Sequence, residues 1–218
     1  GNWRATWSGE GGGVLLNQAP HNLDIWQWVF GMPESITAFC DVAKYHNIEV
    51  EDDATIYAKY ANGATGVFIT TTGEYPGTNR LEISGTKGKL LCEGDKLTWY
   101  KNEVDALEHS NTAKEGFKKP KCEIIEVETD GENPQHVGIL NNFANAILGL
   151  EEQFVQGVDG INGVELMNAI ELSGWRNGEE VTLPVDEDAY LAELNKKRAT
   201  SRLKEDQDVG VAEMSNSF

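Results

Sequence analysis

Apolar residues recur at Leu16, Ala19, Leu23, Trp26 and Phe30, intervals of three and four that put them on one face of a helix. Asn17, His21, Asp24 and Trp28 repeat at the same intervals on a neighbouring face, so the amide and the imidazole point the same way. Pro20 is tolerated only in a first turn, where backbone N–H groups lack intrahelical acceptors, so the spacing predicts a helix beginning near Asn17. The period then changes to two. Ile36, Ala38, Cys40 and Val42 alternate with Thr37, Phe39, Asp41 and Ala43. Residues 54–61 and 65–72 read as two more strands, joined by Asn62-Gly63, a dipeptide suited to the positive φ angles of a tight hairpin. Segments 80–84, 90–92, 96–101 and 122–128 continue the series, punctuated by Gly85, Gly88 and Gly94, while the lysine-bearing stretch 111–121 reads as an exposed loop. Helical period returns at Leu140, Phe143 and Ile147, at Val164, Met167 and Ile170, and at Tyr190, Leu191 and Leu194.

Strands grouped first and helices mostly after them predict an α+β fold, a largely antiparallel open-faced β-sheet with helices packed on one face. One domain is expected over residues 1–198, followed by a polar C-terminal tail over 199–218. The other face of the sheet carries Thr55, Tyr57, Val67, Ile69 and Thr71, too apolar for full exposure, and reads as an association surface. A net charge of −18 argues against nucleic acid and anionic membrane surfaces as partners. No apolar run approaches bilayer length. Cys40, Cys92 and Cys122 are widely spaced and read as reduced thiols of a cytoplasmic protein.

His21 is the leading candidate for chemistry, because imidazole titrates near neutral pH and suits proton transfer. Asn17 can orient a substrate hydroxyl, and it is also a favoured helix N-cap. Trp3 and Arg4 precede the motif, and a guanidinium there can hold a polyol or carboxylate or make a surface ion pair. His46 and His109 fall in polar loops, His136 reads as first-turn surface, and Asp52-Asp53 and Glu151-Glu152 read as solvated acids. No cluster has metal-ligand spacing. The glycines at 11–13 lack the Gly-x-Gly-x-x-Gly spacing of a dinucleotide-binding turn.

Four stretches together carry a family resemblance. They are Trp3-Arg4 through Gly31; residues 79–90 (Asn79-Arg80-Leu81-Glu82-Ile83-Ser84-Gly85-Thr86-Lys87-Gly88-Lys89-Leu90); Asn142-Phe143-Ala144-Asn145-Ala146-Ile147; and Asn168-Ala169-Ile170-Glu171-Leu172-Ser173-Gly174 with Val181-Thr182-Leu183-Pro184 after it. Their order and spacing over roughly residues 1–197 resemble the C-terminal domain of the Gfo/Idh/MocA oxidoreductases. The resemblance implies the substrate-binding and oligomerisation half of an NAD(P)-dependent enzyme acting on a sugar, polyol or similar secondary alcohol. It implies an N-terminal Rossmann domain, not found in this chain, that holds NAD or NADP and contributes a lysine. The fragment alone is accordingly expected to be inactive and to bind no dinucleotide. The family motif is usually Asp-x-x-x-His, so position 17 departs from it, and Ala19 stands where glycine is common. The resemblance also brings Tyr75, on the Gly73–Gly77 loop, near the substrate, and implies a homodimer through the open sheet face. Two other readings stay open on the same residues: an NAD-dependent glycoside hydrolase and a non-catalytic association module.

Overall fold

The computed structural model describes residues 3–202, which form two compact units. Among the described residues the first takes in 3–73 and 155–202, the second 74–154.

In the first unit a single helical turn, α1 (Val14–Asn17), runs almost directly into α2 (Pro20–Phe30). Gln18 and Ala19 between them stay in the right-handed helical region, so helical backbone starts three residues before the position that Pro20 suggested. Pro20 opens α2, where its missing N–H costs nothing. Three strands follow as a meander, β1 (Ser35–Val42), β2 (Glu51–Lys59) and β3 (Thr65–Thr71), every pair antiparallel. The β2–β3 turn is closed by Tyr60 N–H donating to the Ala64 carbonyl at 3.0 Å, and Gly63 supplies the positive φ of +81°. After a 3₁₀ turn (Gly157–Asp159) come α5 (Gly160–Trp175), the short β8 (Val181–Thr182) and α6 (Glu187–Thr200). β8 pairs with β1, giving the order β3-β2-β1-β8.

The core lies between one face of this sheet and the helices. Leu15, Leu23, Ile36, Ile56, Leu166, Ile170 and Leu172 are fully buried there. Helix α5 approaches β1 closely because residue 174 is glycine: a Cβ at that position would sit 2.7 Å from the Cys40 sulfur. Ser173 ties the two together, its Oγ accepting from Ala38 N–H at 2.8 Å and donating to the Glu179 carbonyl at 2.7 Å. The opposite face carries Phe39, Tyr57, Val67 and Ile69, all more than 40% exposed, as the period-two pattern required.

The second unit is a four-stranded antiparallel meander, β4 (Arg80–Gly85), β5 (Gly88–Glu93), β6 (Lys96–Asn102) and β7 (Cys122–Val127), with helices α3 (Ala106–Thr112) and α4 (Gln135–Ile147). The α+β class and the antiparallel pairing are as expected. The division of the strands between two sheets was not readable from their periodicity, nor was the short helix α3, whose first turn is capped by Asp105. Of the expected tail, residues 199 and 200 close α6 and residues 203–218 lie outside the described part. No helix among the described residues is long and apolar enough to cross a membrane.

Candidate functional site

A β-bulge does the first work. The register places Val42 opposite Glu51 and Asp41 opposite Asp53, leaving Asp52 as the extra residue at the start of β2. The bulge lets Glu51 and Asp52, adjacent in sequence, both point away from solvent, at 2% and 0% exposure. Strict alternation would have put one of them in water, and Asp52 read from sequence as a solvated acid. That expectation fails here.

Asp52 organises the β1–β2 turn. Its Oδ1 accepts from Lys44 N–H at 3.0 Å, and its Oδ2 from Tyr45 N–H at 2.8 Å and His46 N–H at 2.9 Å. The same Oδ2 lies 3.1 Å from His46 Nδ1, and Thr72 Oγ1 is 3.3 Å from that nitrogen. Burial pushes the Asp52 carboxyl up, but the backbone N–H groups and the imidazole outweigh it and hold it below the usual carboxylate range.

Glu51 ties the sheet to the helical entry. Its Oε1 accepts from Gly13 N–H at 2.7 Å and Leu15 N–H at 3.2 Å, so the carboxyl serves the unsatisfied N–H groups where α1 begins. Glu171 of α5 is 1% exposed, and its Oε2 accepts from Tyr190 O–H at 2.6 Å. Glu51 Oε2 and Glu171 Oε1 are buried and have no hydrogen-bond partner among the described residues. Burial raises both carboxyls, Glu171 the more strongly, with the charge of Glu51 adding to its shift. The folded state binds more protons than the unfolded chain once pH exceeds the ordinary carboxyl value of 4.5, so this group's contribution to stability falls as pH rises. Glu171→Gln removes that penalty while keeping an acceptor for Tyr190. It is expected to gain about 1–2 kcal/mol over the parent at pH 8 and nothing at pH 4. Urea melts of both proteins across that range check it, and curves separated by a constant offset would refute it.

Gly12 and Gly13 serve packing, while Gly11 has open space beside it and a φ of +88°. A Cβ on Gly12 would meet Glu171 Oε1 at 2.4 Å, and one on Gly13 would meet the Glu51 carbonyl oxygen at 2.0 Å. Both sheets are antiparallel, so the described residues build no parallel strand–turn–helix unit of the kind that cradles a pyrophosphate. Nor do they contain a cluster of three or more side chains suited to a metal.

Around these anchors lies a cavity of about 280 Å³, whose lining includes Arg4, Glu10, Asn17, Gln18, His46 and Thr72. Asn17 closes α1, and its Nδ2 donates to Glu10 Oε1 at 2.8 Å, while Glu10 Oε2 accepts from Ala5 N–H at 2.7 Å. A carboxylate thus stands beside residue 17 although residue 17 is not one. Arg4 stacks on Trp3, its guanidinium carbon 5.3 Å from the ring centroid. Of the residues singled out from sequence, the fold brings Asn17 and Arg4 to this cavity and places Trp3 next to Arg4. His21, exposed in the first turn of α2, is not among the lining residues. Tyr75 belongs to the second unit and is fully exposed. Sequence reading passed over Glu10, Glu51 and the His46–Asp52 pair, since a bulge and a loop contact across six residues leave no periodic signal. A larger hollow of about 470 Å³ at the β6–β7 end of the second unit is lined by Lys101, Glu103, Lys121 and neighbouring strand-end residues. Charged surface side chains dominate it, and it gathers none of the candidate chemistry.

Residues 1–91 match the family model described as the GFO/IDH/MocA C-terminal domain. No curated protein matches the chain. Among solved structures it is similar to the WlbA dehydrogenase from Chromobacterium violaceum, in complex with NADH and UDP-GlcNAcA, at 29% identity and a TM-score of 0.65, covering 85% of this chain and 50% of that one. It shares the fold of the aldose-aldose oxidoreductase from Caulobacter crescentus, complexed with glycerol, at 20% identity, TM-score 0.64, and coverage of 83% and 50%. A levoglucosan dehydrogenase, in complex with NADH and levoglucosan, shares it at 19% identity, TM-score 0.62, and coverage of 84% and 53%. The chain spans about half the length of these structures.

Proposed function

From the premise that residues 1–91 carry the GFO/IDH/MocA C-terminal domain, we propose that this chain is the substrate-binding and oligomerisation half of an NAD(P)-dependent oxidoreductase acting on a sugar or related polyol. The observation that carries the reading is the cavity at the end of α1, lined by Asn17, Arg4 and Glu10, where Asn17 Nδ2 donates to Glu10 Oε1. The relatives support it: WlbA is bound to NADH and a nucleotide sugar, and proteins of the same fold are bound to glycerol and levoglucosan. The dinucleotide is held outside the residues described here, in a longer protein.

Within that protein the chain supplies groups that bind, orient and deprotonate. His21 accepts the hydroxyl proton released when a secondary alcohol is oxidised, since a neutral imidazole is a competent base at working pH. Asn17 orients the hydroxyl, with the Glu10 carboxylate fixing the amide so that its oxygen is left to accept. Trp3 and Arg4 contact the substrate. The test is spectrophotometric: the longer protein carrying this chain should reduce NAD or NADP in the presence of a sugar or polyol. Release of sugar from a chromogenic glycoside without net reduction would point instead to glycoside hydrolysis.

The sheet face bearing Phe39, Tyr57, Val67 and Ile69 forms a two-fold homodimer. Those residues lie in register across three strands, Phe39 opposite Thr55 and Thr55 opposite Ile69, with Tyr57 opposite Val67. A specific interface there should bury more than about 1,000 Å² in total. Light scattering at tens of micromolar should therefore give twice the 24.0 kDa chain mass, and Ile69→Lys should return it to the monomer. A parent protein that scatters as a monomer overturns the assignment.

A further inference from the structure

Glu51 and Glu171 stand on different elements, β2 and α5, yet both carboxyl groups abut the same two consecutive residues. Glu51 Oε1 accepts from Gly13 N–H at 2.7 Å, and Glu171 Oε1 lies where a Cβ on Gly12 would meet it at 2.4 Å. Each carboxyl has one oxygen satisfied, Glu51 Oε1 by Gly13 and Leu15 N–H and Glu171 Oε2 by Tyr190 O–H. The oxygens left over, Glu51 Oε2 and Glu171 Oε1, are buried and lack a partner among the described residues. Two buried carboxylates repel, whereas a carboxyl and a carboxylate satisfy one another through a single shared proton. The neighbouring titratable groups leave that role to the proton. Glu10 faces the pair from the entry to α1 and Cys40 from β1, and both can add only negative charge. From α6 come Tyr190, already donating to Glu171, and Lys197, whose ammonium is held over the Trp7 and Trp175 rings, 4.8 and 5.2 Å from their centroids.

We propose that Glu51 and Glu171 form a proton-sharing clamp, one hydrogen held between Glu51 Oε2 and Glu171 Oε1, which fixes the glycine entry and α1 and loosens them when that proton is lost. The proton passes to solvent, and the second negative charge must then be hydrated. β2 and α5 carry the core residues Ile56, Leu166, Ile170 and Leu172 and cannot separate without breaking it. The glycine segment gives instead: Gly12 covers Glu171 Oε1, and Gly11 before it has open space beside it. The movement reaches α1, whose last residue, Asn17, lines the cavity. Proton loss from a buried pair at a distance thereby regulates the order of the cavity wall. That consequence rests on the reading of the cavity as a substrate site, and the clamp itself does not. Burial and the charge of Glu51 keep Glu171 protonated above the ordinary carboxyl value of 4.5, so the clamp is closed on the acid side and opens as pH rises through the upper step of the pair.

The test is heteronuclear NMR of this chain, labelled at the glutamate carboxyl carbons and backbone nitrogens, from about pH 4 to about pH 10. Glu51 and Glu171 should titrate in two shared steps, the upper one above 4.5. Across that upper step the Gly13 and Leu15 N–H and Asn17 Nδ2 resonances should shift with one midpoint. Exchange of the Gly13 and Leu15 amides, corrected for hydroxide catalysis, should quicken roughly tenfold, the scale of one lost hydrogen bond. Glu171→Gln keeps an acceptor for Tyr190 and offers Glu51 a donor that does not titrate, so the upper step should vanish and the protection of both amides should become independent of pH. Tyr190→Phe removes a donor to ionised Glu171 and should move the midpoint upward, a shift that a purely structural contact would not produce. Two carboxyls titrating separately near 4.5, an upper step that Gly13 and Leu15 do not sense, or one that survives Glu171→Gln would each overturn the proposal. No sugar or nicotinamide enters the measurement. A failed clamp therefore leaves the oxidoreductase reading untouched, and a longer protein without turnover leaves the clamp standing.

Discussion

In the longer protein proposed above, His21→Ala is expected to lower kcat by about 10²- to 10⁴-fold, the usual scale for a lost acid/base group. That corresponds to about 3–5 kcal/mol of transition-state stabilisation. The expectation follows from the proposal that His21 receives the alcohol proton, and the structure makes it a clean experiment. His21 is exposed in the first turn of α2, next to Pro20, with the buried Leu23 and Trp26 further along the helix carrying the packing. The variant should therefore keep its melting temperature within a degree or two of the parent, an exposed substitution being worth about half a kcal/mol or less. Stopped-flow and steady-state nicotinamide absorbance measure the rate. A variant that retains full turnover ends the assignment of His21 and moves attention to His46, which does line the cavity beside Asn17.

The second large effect is on folding. Gly13→Ala should destabilise the first unit by on the order of 3 kcal/mol, overpacking against backbone being costlier than against a movable side chain. The new methyl group would lie 2.0 Å from the Glu51 carbonyl oxygen and 2.8 Å from Val50 Cγ2, and neither can withdraw without dismantling β2. Separation of the two segments also breaks the Gly13 N–H bond to Glu51 Oε1, leaving a buried carboxyl with one partner fewer. Gly160→Ala is the control, since nothing lies within 4 Å of a Cβ there and its φ is not in the left-handed region. Urea denaturation followed by tryptophan fluorescence distinguishes them. A Gly13→Ala midpoint within about half a kcal/mol of the parent would mean that the close approach is not rigid.

Periodicity and turn chemistry were enough for most of the local structure. The change from intervals of three and four at Leu16–Phe30 to alternation from Ile36 onward depends only on which side chains must leave water together, so it survives in the sequence whatever the tertiary contacts. Asn62-Gly63 placed a turn for the same reason: positive φ is a property of the residues themselves. An exposed apolar sheet face built from Tyr57, Val67 and Ile69 was legible too.

Other features exist only in three dimensions. One inserted residue in β2 turns both Glu51 and Asp52 inward, and a bulge of that kind depends on the register with β1 rather than on any pattern in the strand. Glu10 reaches Asn17, Glu51 reaches Gly13, and Asp52 captures the His46 turn through hydrogen bonds whose partners are set by how the loops pack. The space beside Gly12 and Gly13 is filled by the protein's own Glu171 and the β2 backbone, which their spacing in sequence did not reveal. Sequence alone settled which faces are apolar and where most of the helices and strands lie, because both follow from short-range sterics and the removal of apolar area from water. Tertiary structure decided which polar groups are buried, which are satisfied and which are left facing the cavity, because that accounting can be done only when residues distant in sequence meet.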